Sequence, residues 1–591
     1  MRKANKGKAR PSKPKGRPKQ KRTPKAAGKG AASGSAAELY SGGFDFSAPP
    51  APLVEADLLN RARGALRQGK PGEALALARQ ALAANPEDSD ALNIAGVAAF
   101  QSGEGEQGLD LLRTAVAFAP KNAEAHTNLG NVLAALDQHG EAENAYTSAI
   151  AANSDYADAP FNLGVLMEAQ ERPGDALEAY TAALEISPGH SGAHQGRGNA
   201  LKALARLDEA KSAFEAALER NPALPEARTN LAAVLQELGD FEGAAREAKR
   251  AFAADPDLLE AEFNYAIALQ ELGRFEEAID AYKDVLGHAP EHAASALNIG
   301  YGLQQLGRLD EAGHAFEKTI GIDPDFAKAH VNLADLHLQQ SEPQAALDVC
   351  DSFLQSHPGQ TDLLAFKAVA LRDLGEEEQA RHLNDFDRFV STVQITPPEE
   401  FGSLEAFNDA LCEHVLAHPT LTQSPQSHAT RKGRHSGELL TDPKGPIAGL
   451  EAEILRLASA YRDELGRDEP GSDDAHPFVA NSPGEWTLSV WGVVMQAAGH
   501  QIPHIHPAAW LSGVYYPRLP EIVSASDGDK AGWIEFGRPP DHFHNDLEPE
   551  THSIQPEAGL MVLFPSYFYH HTVPFEADGT RISIAFDLMP A

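Results

Sequence analysis

Two periods of apolar residues divide the chain. From about Leu53 to about Asp385, small residues and prolines return every 34 residues. Proline recurs at Pro86, Pro120, Pro188, Pro222, Pro256, Pro290, Pro324 and Pro358, with Ser154 in the one gap. Twelve residues before each stands Ala74, Ala142, Ala176, Ala210, Ala244, Ala278, Ala312 or Ala346, with Gly108 standing in once. Twenty-four residues before stands Gly or Ala, as at Gly96, Gly130, Gly164, Gly198, Ala232, Ala266 and Gly300. Such a period predicts helix pairs, because small residues let two helices cross closely and proline stops the second. Nine full repeats fit, plus a partial tenth whose small positions are Ala368 and Ala380. The last hundred residues alternate with period two instead. TLSVWGVVM, LSGVYYP, GWIEFG, LMVLF and RISIAFDL are short β-type runs between Gly/Pro turns, the pattern of a sandwich or jelly roll. Between these regions, TPPEEF, FNDALCEHVLAHP, ATRKGRHSGELL and AGLEAEILRLASAYRDEL read as turn, helix, loop and amphipathic helix.

The 34-residue pattern resembles the tetratricopeptide repeat, a quasi-one-dimensional all-α solenoid with a long concave face. Two residues before the Gly/Ala position, asparagine recurs at Asn128, Asn162, Asn230, Asn264, Asn298 and Asn332, and Gly196 breaks the series. The resemblance implies that this position faces the groove. An amide both donates and accepts, so such a ladder can pair with an extended polypeptide whatever its side chains. The competing reading is that these asparagines bridge neighbouring repeats or face water. The expected organisation is multidomain: a tail over 1–52, a repeat solenoid over 53–385, a helical lead-in over 386–485 and an all-β core over 486–591.

Charge separates the tail from the rest. Net charge is −35, yet the first 37 residues hold 13 Lys/Arg and no acid, leaving 37 basic against 85 acidic residues beyond them. The tail has little to bury and is expected to be disordered, with a sequence-blind attraction to nucleic acid or a ribosome, or simply a solubilising role. No apolar run reaches the length of a membrane span and the N-terminus has no signal-peptide core, so the expectation is a cytoplasmic protein without membrane contact. Two cysteines, Cys350 and Cys412, exclude a disulfide framework and read as buried apolar side chains.

Candidate chemistry lies in the β region, which holds 8 of the 24 histidines within residues 500–571. In GHQIPHIHP, His504 and His506 sit two apart, so an extended backbone sends both imidazoles from one face toward one ion. A third imidazole arrives in FPSYFYHHTVPF, from His570 or His571. In RISIAF, Arg581 and Ser583 share a face opposite Ile582, Ile584 and Phe586. Three neutral nitrogen ligands beside a cation and a hydroxyl describe a site for a metal and a carboxylate-bearing cosubstrate. His542, His544 and His552, in a loop rich in Pro and acids, read as solvent-facing.

The region from roughly Phe386 to Leu588, most sharply GHQIPHIHPAAWLSGVYY, GWIEFGRP, LFPSYFYHHTVPF and RISIAFDL, resembles the bacterial 2-oxoglutarate/Fe(II) oxygenases. Within them it is similar to a prolyl-hydroxylase-like subgroup often fused to tetratricopeptide repeats. The resemblance implies a double-stranded β-helix holding Fe(II), with 2-oxoglutarate as cosubstrate and O₂ as oxidant. His504 takes the place of the first ligand and His506 that of the usual Asp/Glu. His570 takes the distal place, because Pro574 follows it by four, with His571 as its rival. Arg581 would pair with the distal carboxylate of 2-oxoglutarate through its two-pronged guanidinium, and Ser583 would add a hydrogen bond. Tyr515 or Tyr516 would touch the cosubstrate, and strand alternation lets only one of them face inward. The departure is His506 itself, which leaves the centre one charge unit more positive; Glu535 or Asp546 is the carboxylate that could complete it instead. The implied activity is hydroxylation of a protein or peptide captured by the repeats. The alternative is a repeat scaffold with a catalytically silent metal-binding β-domain.

Overall fold

A computed structural model describes residues 53–424, 429–468, 476–525, 530–543, 548–576 and 579–591. The basic tail, His544 and Asp546 lie outside the described residues. Within most 34-residue periods two helices pack together because a small residue on the first meets a large side chain on the second. A Cβ built at Gly130 would lie 2.5 Å from the Tyr146 ring, at Gly164 2.7 Å from Tyr180, at Gly198 2.7 Å from Phe214 and at Gly300 2.4 Å from Phe316. The prolines stand just past helix ends, as Pro120 after Gly105–Phe118 and Pro324 after Leu309–Ile322. The turn inside each pair uses a left-handed residue at one repeating position, glycine at Gly239, Gly273 and Gly307 but Ala205 and Ser341 elsewhere. Gly196 breaks the asparagine series for a packing reason: a Cβ there would lie 2.3 Å from the Tyr180 ring.

The chain forms two units. Residues up to Leu238 carry repeat helices from Leu53–Arg67 to Pro225–Glu237. Residues from Gly239 onward carry further repeat helices, Phe241–Ala254 to Glu377–Leu383, and then the β-rich domain. No helix among the described residues is long and apolar enough to cross a membrane.

The expected order of an all-α repeat solenoid and an antiparallel β-domain holds. The strands are β1 (Ser391–Gln394), β2 (Thr422–Gln423), β3 (Thr430–His435), β4 (Trp486–Gln501), β5 (Leu511–Arg518), β6 (Ile534–Phe536), β7 (His552–Ile554), β8 (Leu560–Pro565), β9 (His570–Thr572) and β10 (Arg581–Pro590). Seven form one sheet in the order β1-β8-β5-β10-β4-β3-β2, and three form a second, β7-β6-β9. The region 386–485, expected as a helical lead-in, therefore also contributes three strands. ATRKGRHSGELL, expected as a loop, contains β3, which pairs with β4 through Gly433↔Met495 and His435↔Val493. Its cations hid it, because a strand near a sheet edge needs no apolar alternation.

Packing does not break where the repeats end. Leu338, Phe353, Leu363 and Phe366 of the last repeats share one apolar core with Ile454, Phe564 and Ile582 of the β-domain. Thr361 Oγ1 donates to the Ala509 carbonyl at 3.3 Å, and the Tyr567 hydroxyl donates to the Leu383 carbonyl. Cys350 and Cys412 are buried as expected, and burial raises both thiols, Cys412 to about 11.

The small-against-aromatic rule is directly testable. Phe316 is fully buried, so Gly300→Ala has no free space to take. It is expected to lower stability by about 1–3 kcal/mol, read from the urea midpoint of the full chain. An unchanged midpoint would show that these contacts do not set the helix crossing.

Candidate metal centre

The backbone brings three histidines together before any ion is considered. After β4 the chain runs extended through His504 and His506. His504 N–H donates to the His570 carbonyl at 3.1 Å and His570 N–H returns the bond at 3.0 Å, while His506 N–H donates to the Ser566 carbonyl at 3.0 Å. This stitching sets both members of the His-x-His run beside the start of β9. One ring nitrogen from each of His504, His506 and His570 falls within 4.8 Å of the others.

Hydrogen bonds fix which nitrogen is free. His504 Nδ1 lies 2.8 Å from the Ile502 carbonyl and His570 Nδ1 lies 3.0 Å from the Phe568 carbonyl. A carbonyl only accepts, so each Nδ1 carries the proton and each Nε2 presents a lone pair. His506 Nδ1 lies 2.7 Å from Asp587 Oδ1, with the same consequence. Burial, reinforced by the neighbouring imidazoles, pushes His504 down to about 3 and His570 well below its ordinary value. Both rings are therefore neutral at pH 7 and available as ligands. Three convergent imidazole lone pairs fit a divalent transition metal.

Beside the imidazoles lies a cation with no carboxylate. Arg581 is 1% exposed, and no acid pairs with it among the described residues. Its Nε and the Tyr516 hydroxyl are both buried, and apart from the mutual contact between the guanidinium and that hydroxyl neither meets a hydrogen-bond partner among the described residues. Its guanidinium lies 5.1 Å from the centre of the Tyr516 ring, and Nη1 reaches Ser583 Oγ at only 3.4 Å. Burial lowers its proton affinity. Arg581, Ser583, Tyr516 and the three histidines line one cavity of about 150 Å³. Unsatisfied donors aimed into a small cavity fit an anion such as a carboxylate.

The open alternatives in the sequence separate geometrically. Tyr516 faces the cavity, whereas Tyr515 turns to the other side of the sheet and donates to Asn408 Oδ1 on helix Leu404–Ala417. His571 pairs across to β6, with Nε2 3.7 Å from Glu535 Oε1, and stays outside the three-nitrogen cluster. Glu535 is occupied by Arg538 at 3.2 Å and Ser553 at 3.1 Å. His542 is exposed and His552 half-buried on β7. Of the repeat asparagines, three bond within their own unit: Asn128 donates to Asn93 at 3.0 Å, Asn230 to Asn199 at 3.1 Å and Asn298 to the Tyr282 hydroxyl at 3.1 Å. Asn162 and Asn264 are buried and Asn332 half-buried.

Sequence reading missed Asp587, Ser512 and the aromatic wall formed by Trp491, which stacks on His435 with ring centres 5.9 Å apart. Asp587 was findable. Arg581, Ser583, Ala585 and Asp587 all share one parity on β10.

The comparisons with known proteins agree with this organisation. Residues 489–587 match the family described as "Putative 2OG-Fe(II) oxygenase". Tetratricopeptide-repeat families match residues 59–123, 127–191, 263–325 and 297–361, and also 167–235 and 204–257. The chain thus carries tetratricopeptide repeats followed by a domain of that oxygenase family. Among solved structures, YrrB, described as a TPR protein with an unusual peptide-binding site, is 28% identical over 32% of this chain and 96% of its own, with TM-score 0.30. MamA is 28% identical over 27% of this chain and 94% of its own, with TM-score 0.25. PilW, a type IV pilus biogenesis factor, is 19% identical over 35% of this chain and 96% of its own, with TM-score 0.32. No curated protein matches the chain to a significant level.

Arg581→Met tests the anion site. Without ligand the variant is expected to be at least as stable as wild type in thermal unfolding, because an uncompensated buried charge is removed while its apolar stem is kept. Millimolar 2-oxoglutarate, added with Mn(II), should raise the melting temperature of wild type and not of the variant. A variant that unfolds well below wild type without ligand would reveal an internal partner for the guanidinium.

Proposed function

We propose that the protein is a 2-oxoglutarate- and Fe(II)-dependent dioxygenase that hydroxylates a protein or peptide captured by its repeats. The observation that carries this reading is the buried, acid-free guanidinium of Arg581 in the same cavity as three convergent imidazoles. A structural zinc site would explain the histidines and leave the guanidinium without purpose. With iron, 2-oxoglutarate and O₂ bound, such a centre would couple decarboxylation of 2-oxoglutarate to succinate and CO₂ with insertion of oxygen into a substrate C–H bond.

This chain's residues would divide the work. His504, His506 and His570 would hold the ion through Nε2. Arg581 would grip the distal carboxylate bidentately, with the Tyr516 and Ser583 hydroxyls completing its hydrogen bonds and fixing the cosubstrate's angle to the ion. Phe564, whose ring centre lies 4.6 Å from that of His570, and Phe536 shield that side from water. Trp491, His435 and Gln501 line the remaining wall and would meet the substrate. In the repeats, Asn332 is the amide best placed to take a peptide backbone, because it is only half-buried and makes no hydrogen bond with a described residue, whereas Asn128, Asn230 and Asn298 already do and Asn162 is buried.

The test uses the full chain, metal-free and anaerobic, titrated with 2-oxoglutarate in the presence and absence of Fe(II). Wild type is expected to bind 2-oxoglutarate only with Fe(II), and His504→Ala to lose that binding by at least about tenfold, the usual minimum for disturbing a metal shell. Admitting O₂ should then yield succinate. Metal uptake without 2-oxoglutarate binding would refute the oxygenase reading and favour a repeat scaffold with a silent β-domain.

A further inference from the structure

A three-imidazole centre leaves a bound divalent ion without any negative charge among its ligands. The fold sets a carboxylate one layer further out. Asp587 lies on β10, six residues beyond Arg581 and on the same face of the strand, roughly 20 Å along it. Its Oδ1 accepts from His506 Nδ1 at 2.7 Å and from Ser512 Oγ at 2.6 Å. Ser512 Oγ in turn lies 2.8 Å from Ser566 Oγ and 3.2 Å from His506 Nδ1, and the Ser566 carbonyl accepts the His506 N–H. His506 is thus gripped at ring and backbone by one network. The Asp587 side chain is 17% exposed, and His506 is its only ionic partner among the described residues.

The three histidines are not equivalent in this respect. His504 and His570 lean on neutral backbone carbonyls, of Ile502 and Phe568. His506 alone leans on a carboxylate, and His506 is the residue standing where the resemblance to the oxygenases calls for Asp or Glu.

We propose that His506 and Asp587 act as one ligand unit. Asp587 is a positioning residue that aims His506 Nε2 at the ion and returns, through the Nδ1–H···Oδ1 hydrogen bond, the negative charge that the ligand set lacks. β10 then carries opposite charges for two tasks: Arg581 at one end for an anion, and Asp587 at the other for a cation. This inference rests on the proposed metal centre and not on its use of 2-oxoglutarate. Carboxylates that hold metal-bound imidazoles typically contribute about 10- to 100-fold in metal affinity.

The experiment is anaerobic calorimetric titration of metal-free full chain with Co(II), comparing wild type, Asp587→Asn and the double variant His506→Asp/Asp587→Asn. Asp587→Asn keeps the shape and removes the charge. It is expected to bind Co(II) about 10- to 100-fold more weakly than wild type, with the melting temperature of the metal-free protein little changed. The double variant brings a carboxylate directly to the ion and should recover most of the loss, as expected if what Asp587→Asn removes is negative charge at the centre. Co(II) affinity in Asp587→Asn equal to wild type, or no recovery in the double variant, overturns the proposal. If Asp587→Asn fails to fold, Ser512→Ala, which removes one of the two hydrogen bonds to Oδ1, should weaken Co(II) binding in the same direction, and unchanged affinity there overturns it. Wild type that binds Co(II) but never 2-oxoglutarate would refute the proposed function while leaving this comparison decisive. Wild type that binds no divalent metal would refute both.

Discussion

A guanidinium buried without an acid is the constraint around which the β-domain is arranged. Removing such a charge from water costs several kcal/mol unless something compensates it. Arg581 nevertheless sits at 1% exposure, its Nε without a hydrogen-bond partner among the described residues, facing a cavity shared with three imidazoles. The hydrophobic face of β10, Ile582, Ile584, Phe586 and Leu588, fixes the strand in the core, so the alternate residues have no choice but to face the cavity. An anion bound in the cavity would supply that compensation. His504 and His570 follow the same logic, since burial keeps them neutral and ready to ligate.

The repeats contribute more than a separate binding surface. The last of them share an apolar core with the β-domain, through Leu363 and Phe366 on one side and Phe564 and Ile582 on the other. The end of the repeat pattern near Asp385 is therefore a change of secondary structure without a gap in packing. A polypeptide held by these last repeats would be held by the body that carries the cavity. Elsewhere in the solenoid several helix crossings set a glycine against an aromatic ring, and the same crowding explains why Gly196 interrupts the asparagine series.

Much of this was legible in the sequence, for physical reasons. A period of 34 with fixed small residues can be satisfied only by helix pairs, and the alternation of RISIAFDL separates Arg581 and Ser583 from the core side chains. The His-x-His spacing indicated convergence. What stayed hidden depended on contacts distant in sequence. Tyr516 is not distinguished from its neighbour until β5 turns Tyr515 toward Asn408, and His570, favoured over His571 by the position of Pro574, is separated from it in space only when β9 pairs with β6. Strand β3 carries three cations in six residues and has no apolar period to reveal it. Asp587 had the right parity but no local sign of its partner, because His506 lies 81 residues away. The repeat asparagines look alike in the sequence, yet three of them are spent on neighbouring side chains.

The most direct measurement is a crystal structure of the full chain grown anaerobically with Mn(II) and 2-oxoglutarate. The expected result is one ion bound by Nε2 of His504, His506 and His570 and chelated by 2-oxoglutarate, whose distal carboxylate lies on the Arg581 guanidinium. An ion that recruits Glu535 or Asp587 directly, or a dicarboxylate bound away from Arg581, would contradict it.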